Sequence, residues 1–235
     1  MQGKNLTIPL TGIALSFIFV ALYFFFKPVP HKVSYLALGD SYTFSTNIKY
    51  DQNYPGQLVA KLRDQGLDIG HPVFIAYPGW TSADLCKAVN RKNLQDTFTF
   101  VTLLIGANNQ FRGLDLDSYR QQFGALLGKA ISYVNGHAAR VFVLSTPDWR
   151  ASPFVGGRDR LQVAQTVVTY NTIIKEMALG NKCTYVDISE ILQERAHDTS
   201  LFMSDCIHPS PKGYGLWVAR LAPVVANVLR QQQLQ

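Results

Sequence analysis

Cysteine is scarce in this sequence. Cys86, Cys183 and Cys206 are its only three, none in a Cys-x-x-Cys pair and none with a histidine at metal-ligand spacing. Neither a zinc site nor a disulfide framework is expected from them. One bridge with a thiol left over, in an oxidising compartment, and three packed inert thiols both stay open. Runs of one charge are missing too. The 22 Lys and Arg outnumber the 16 Asp and Glu, but Lys4, Lys27 and Lys32 fall in a stretch, 1–32, that contains no acid. Residues 33–235 carry 19 basic against 16 acidic side chains, an ordinary balance. No dense Lys/Arg run interleaved with aromatics occurs, which argues against a nucleic-acid partner. Internal repeats are absent, and the terminal glutamines are the sole low-complexity tract.

Charge is absent altogether from the 19 residues 8–26, which end in Phe24-Phe25-Phe26. As a helix that run is close to the roughly 30 Å needed to cross a bilayer core. A cleaved secretory signal needs small residues before its cleavage point, and Leu22-Tyr23-Phe24-Phe25-Phe26-Lys27 has none. The expectation is an uncleaved membrane anchor at 8–26 behind a short basic head, 1–7. A proline-containing spacer, 27–32, then leads to a domain at 33–235. The flanking lysines do not settle orientation. A short basic head before an apolar run is the export pattern, so the domain is expected outside the cytoplasm, periplasmic or extracellular.

The remaining length suits one domain of about 200 residues. From Val33 on, short apolar segments alternate with longer amphipathic ones. Strands are expected at 33–38, 72–77, 98–105, 140–144 and 184–188. Helices are expected at 54–66, from Ser82, at 117–134, at 159–179, and after the Ser210-Pro211 cap. Five strands alternating with helices imply an α/β fold with a parallel sheet covered on both faces. Right-handed crossovers then bring all strand C-termini to one rim, where ligands of open α/β sheets sit.

Three of those ends carry chemistry. The first strand ends in Gly39-Asp40-Ser41, the second runs into Pro78-Gly79-Trp80, and the third into Gly106-Ala107-Asn108-Asn109. A hydroxyl nucleophile, a glycine amide and a side-chain amide in one neighbourhood are what acyl transfer needs, because attack on an ester carbonyl makes an oxyanion that fixed donors must meet. Gly79 and Asn108 are also ordinary turn residues, so taken singly neither decides anything. The serine requires a base. Of the five histidines, His31 falls in the spacer, His71 and His137 precede strands, and His197 lies beside Asp198 in a surface-like segment. His208 remains, in Asp205-Cys206-Ile207-His208-Pro209, with Asp205 near enough to orient its ring.

Gly39-Asp40-Ser41, Gly79, Gly106-x-Asn108 and Asp205-x-x-His208 together resemble the four ordered blocks of the SGNH or GDSL hydrolases, over the chain from about Val33 to the last helix. The resemblance implies a flavodoxin-like three-layer α/β/α domain with a five-stranded parallel sheet, and ester hydrolysis without a metal or other cofactor. Carried over by position, Ser41 is the nucleophile, His208 the base and Asp205 its orienter. The Ser41 and Gly79 amides and the Asn108 side chain make the oxyanion hole, and Asp40 ties loops together. Two positions depart from the family pattern. Asn109 stands where the third block usually has Asp, and the second block lacks its usual following Gly.

The substrate is expected to be a small ester or acylated molecule. A carbohydrate O-deacetylase would use the same triad, with Trp80, Trp149 or Tyr42 as sugar-stacking platforms, although aromatic residues at strand ends are more often plain packing. A non-catalytic membrane-tethered binding module is the rival from another class, and a flavin-binding or receiver domain a third. The presence of Ser41, Asp205 and His208 together weighs against the former. The lack of an acidic cluster and of a phosphate-cradling loop weighs against the latter.

Overall fold

The computed structural model describes residues 33–45 and 48–231; the expected anchor at 8–26 lies outside them. Five parallel strands form one sheet in the order β2-β1-β3-β4-β5, with β1 Tyr35–Gly39, β2 Val73–Ala76, β3 Phe100–Leu104, β4 Val141–Leu144 and β5 Thr184–Val186. β1 sits between β2 and β3, pairing Gly39 with Ala76 on one side and with Leu104 on the other. The expected parallel α/β sheet is therefore present, and Gly39, Ala76 and Leu104 end level with one another at one rim.

The helices are α1 Tyr54–Asp64, α2 Ser82–Lys92, α3 Ala107–Phe111, α4 Leu116–Tyr133, α5 Arg160–Gly180 and α6 Pro211–Gln231. β1 and β3 are buried on both faces, which is why the third strand reads as a nearly continuous apolar run. Their side chains divide between two cores. Tyr35, Ala37, Phe100 and Phe142 join Leu58 and Leu62 of α1 and Trp217, Leu221 and Val225 of α6. Leu36, Leu38, Val101 and Val143 join Leu85 of α2, Phe123 of α4 and Ile173 of α5. Three layers result, as expected. Among the described residues no helix is long and apolar enough to cross a membrane.

Element ends follow local chemistry. Asn53, Thr81, Asp115 and Asp159 each cap a helix by accepting from its first-turn amides. The third-strand exit differs from expectation. Residues 107–109, where no helix is expected, begin the short helix α3, whose first turn carries Asn108, Asn109 and Gln110. Strand and helix limits otherwise shift by at most two residues. Gly180, expected just past a helix, is the last residue of α5.

Candidate active site

Ser41 lies in the tight turn that follows β1. The Asp40 carbonyl accepts from the Thr43 and Phe44 amides, and Asp40 Oδ1 accepts from the Tyr42 amide at 3.0 Å. A Cβ on Gly39 would lie 2.6 Å from the Leu104 carbonyl oxygen and collide with the Thr43 side chain. The strand can turn here, tight against β3, only with glycine. Ser41 is thereby lifted out of the sheet at its carboxyl rim, with its hydroxyl facing the loop before α6.

That loop supplies the partner. His208 Nε2 is 2.8 Å from Ser41 Oγ, and His208 Nδ1 is 2.7 Å from Asp205 Oδ2. The other carboxylate oxygen of Asp205 accepts from the Ile207 and His208 amides. Partial burial raises the Asp205 pKa, but these amides and the imidazole outweigh it and hold the carboxyl below its ordinary value. The loop itself is pinned. Ser210 Oγ donates to the Ser200 carbonyl, and Lys212 Nζ binds Asp198 and Ser200. The Tyr42 ring lies between the His208 and Trp217 rings, 5.1 and 5.9 Å from their centroids. His71 instead meets Tyr50 away from the site.

The donors expected for an oxyanion stand on the same rim. Gly79, at φ +79°, is held by Arg112, whose Nη2 donates to the Gly79 carbonyl at 2.7 Å. Asn108 Nδ2 donates to the Trp80 carbonyl at 3.0 Å and more loosely to Asp40 Oδ2 at 3.5 Å. Among the described residues, no protein acceptor takes the Ser41 or Gly79 amide. Asp40 is fully buried beneath them. Burial pushes its pKa up to about 7, against the lowering effect of the Tyr42 amide, its own amide and Asn108.

Ser41, Gly79, Asn108, Asp205 and His208 share a cavity of about 330 Å³. Its other walls are Tyr42, Pro78, Ala107, Phe111, Trp149, Phe154 and Ile207. The three aromatic platforms expected from sequence fare differently. Trp149 lines the cavity but is only 6 % exposed, and its Nε1–H is spent on Gln110 Oε1. Tyr42 backs the histidine at 3 % exposure. The Trp80 ring does not reach the cavity; it packs on the core beside Tyr77. Phe111, Phe154 and Ile207 went unread in the sequence. Phe111 was findable in principle, because it stands three residues after Asn108 and so on the same helix face, had 107–111 been read as a helix. Nothing local marks Phe154.

Residues 37–216 match the model of the GDSL-like lipase/acylhydrolase family. The chain belongs to that family. As a GDSL-family protein it is a carboxylic ester hydrolase. No curated protein sequence matches it. Similar solved structures include the psychrotrophic esterase EstA from Pseudoalteromonas sp. at 16 % identity and TM-score 0.66, covering 85 % of this chain and 100 % of that one. TesA, at 19 % and 0.63, covers 82 % and 97 %. The acetylxylan esterase Axe2 from Geobacillus stearothermophilus, at 18 % and 0.65, covers 84 % and 95 %. At these identities the likeness is one of fold.

Both departures from the GDSL pattern have local explanations. Asn109, standing for the family's Asp, is buried; its Oδ1 accepts from the Ser82 amide and its Nδ2 donates to Ser82 Oγ, both at 2.8 Å. Ser82 Oγ then donates to Gln122 Oε1 at 2.6 Å. A neutral amide thus does the loop-tying at the α2 terminus, and Gln122 takes the hydroxyl proton that Asn109 cannot accept. The missing second glycine of the second block is Trp80, followed by the Thr81–Asp84 capping box that starts α2.

Proposed function

We propose that this protein hydrolyses esters with Ser41 as nucleophile, His208 as general base and Asp205 as the group that orients it. The observation that carries the reading is the continuous chain Ser41 Oγ–His208 Nε2 and His208 Nδ1–Asp205 at 2.8 and 2.7 Å, open to a cavity at the strand C-termini. With Nδ1–H donating to Asp205, Nε2 holds the lone pair that accepts the serine proton. As Ser41 Oγ attacks the acyl carbon, the carbonyl oxygen gathers charge that the Ser41 and Gly79 amides meet. The Asn108 N–H now held at 3.5 Å by Asp40 turns to the same oxygen, since its present bond is the weaker of the two. The imidazolium returns its proton to the leaving alcohol, and water repeats the sequence on the acyl-enzyme. Ser41→Ala should remove turnover of an aryl acetate while leaving the melting temperature in place; undiminished turnover sinks the assignment.

For the substrate we favour an ester with an apolar arm over an acetylated sugar. The cavity walls away from the triad and Asn108 are largely hydrocarbon and aromatic ring, and a pyranose would bury several hydroxyls there without partners, at about 1–3 kcal/mol each. Axe2 is named for acetylated xylan, and the O-deacetylase reading needs open aromatic planes. Tyr42 is nearly closed off and Trp80 faces elsewhere. Turnover on a series of aliphatic esters, set beside acetate release from acetylated glycans, separates the two. We also place the domain outside the cytoplasm, tethered by residues 8–26, on the strength of that uncharged run. A periplasm-dependent reporter fused after Gln235 that stays inactive removes this placement.

A further inference from the structure

Beside the catalytic cavity lies a second one of about 340 Å³, walled by polar groups that include Arg158, Gln162 and Thr166. Phe111 and Trp149 line both, so the two side chains stand as a partition. Trp149 is fixed: it is buried, and its Nε1–H is held by Gln110, which is itself tied to Thr166. Phe111 is different. It ends the short helix α3, three residues beyond Asn108, and 44 % of it is exposed. What holds its ring is contact with Trp149 and Phe154, each 5.7 Å away between centroids, and the Arg158 guanidinium 5.3 Å from its centre. That guanidinium also lies over the Trp149 and Phe154 rings, at 5.8 and 5.1 Å, and donates through Nη1 to the Phe154 and Val155 carbonyls. Among the described residues it has no carboxylate partner.

Resting on the esterase reading, we infer that Phe111 is the residue that sets how long an apolar ester arm the site accepts, and that Arg158 is its positioning residue. At about 30 Å³ for a water-sized group, the first cavity holds on the order of eleven non-hydrogen atoms. That is an ester group with an arm of about six to eight carbons. A longer arm meets the Phe111 ring. Truncating the ring joins the first cavity to the second and gives the arm somewhere to go. The second cavity is mixed, with Phe111, Trp149 and Val163 beside its polar walls, so a methylene placed there gains less than the roughly tenfold of an apolar pocket. Summed over the extra carbons of a long arm, the change is still large enough to read. The structure leaves two sources for the arm, the acyl chain and the alcohol.

The test uses the full chain and two ester series. Vinyl alkanoates vary the acyl chain against a small alcohol, and alkyl acetates vary the alcohol against a small acyl group. The readout is the kcat/KM ratio of the dodecyl member to the hexyl member. In the series that occupies the cavity, Phe111→Ala should raise the ratio at least tenfold, Arg158→Gln should raise it by a smaller factor, and Phe111→Trp should lower it. A ratio unmoved in both series by Phe111→Ala overturns the inference. So does a uniform loss across all lengths, which marks a merely structural role. Labelling of the wild-type protein by a fluorophosphonate keeps this outcome apart from the parent reading. Labelled, active enzyme with an unmoved ratio defeats the partition alone, whereas protein that is neither labelled nor active defeats the esterase assignment with it.

Discussion

Replacing Asp40 by Asn tests the electrostatics beneath Ser41, the proposed nucleophile. Asp40 is fully buried, and burial lifts its pKa from 3.8 to about 7. In the unfolded chain it ionises near the lower value. Between about pH 4 and pH 7 the folded protein therefore holds a proton that the unfolded chain has lost, and stability falls as pH rises through that window, levelling off above it. At about 1.4 kcal/mol per pKa unit, the whole fall is on the order of 4 kcal/mol. Asp40→Asn removes this dependence. It keeps an oxygen for the Tyr42 amide but sets its own NH₂ against Asn108 Nδ2, an offset of about 1–3 kcal/mol that does not vary with pH. Urea unfolding of both proteins across this range should therefore show the variant gaining on the wild type by several kcal/mol from the acid to the alkaline end. Parallel stability curves would refute the argument, as would a variant that gains on the wild type as the pH falls. In activity, the variant should lose less than the ~10²–10³-fold expected when an oxyanion donor is deleted outright, because Asn108 loses only its looser partner.

Other substitutions isolate single contacts. Asp205→Asn leaves the loop folded but presents the wrong group to His208 Nδ1, and kcat should fall by about 10⁴, read in an aryl acetate assay. Asn108→Ala should cost about 10²–10³ in kcat with little change in melting temperature. Trp80→Ala should behave in reverse, lowering the melting temperature while KM for a short ester holds, because its ring packs on the core and only its carbonyl faces Asn108. Asn109→Asp should be destabilising by about 1–3 kcal/mol at neutral pH, since Ser82 would turn its proton to the new carboxylate and leave Gln122 Oε1 without a donor.

What could be read in the sequence was what the backbone demands locally. The buried strands announce themselves because burial on both faces calls for largely apolar runs, and the last helix because Ser210, just ahead of Pro211, takes a first-turn amide, that of Gly213. The meeting of Ser41, Gly79 and Asn108 was legible for a related reason, whereas His208 was reached by elimination among the five histidines and by Asp205 three residues before it. A parallel sheet with right-handed crossovers has one reactive rim, so residues at strand ends far apart in sequence must meet there. The cavity's shape obeys no such rule. Phe111 hid because a five-residue helix is too short to show a period, and Gly106-Ala107-Asn108-Asn109 has the composition of a turn. Phe154 lies in a single 3-10 turn, Pro153–Val155, and Arg158 in the short link between that turn and α5, a stretch where packing partners are chosen by the tertiary fold alone. Trp80 shows the converse error: an aromatic at a strand end looks like a ligand platform, yet its neighbours on the core leave the ring no reason to face the substrate. The candidate site residues thus sit where the sheet edge and hydrogen-bonding chemistry constrain each residue singly. The shape of the cavity is fixed by side chains that constrain one another, and those became legible only once they were placed side by side.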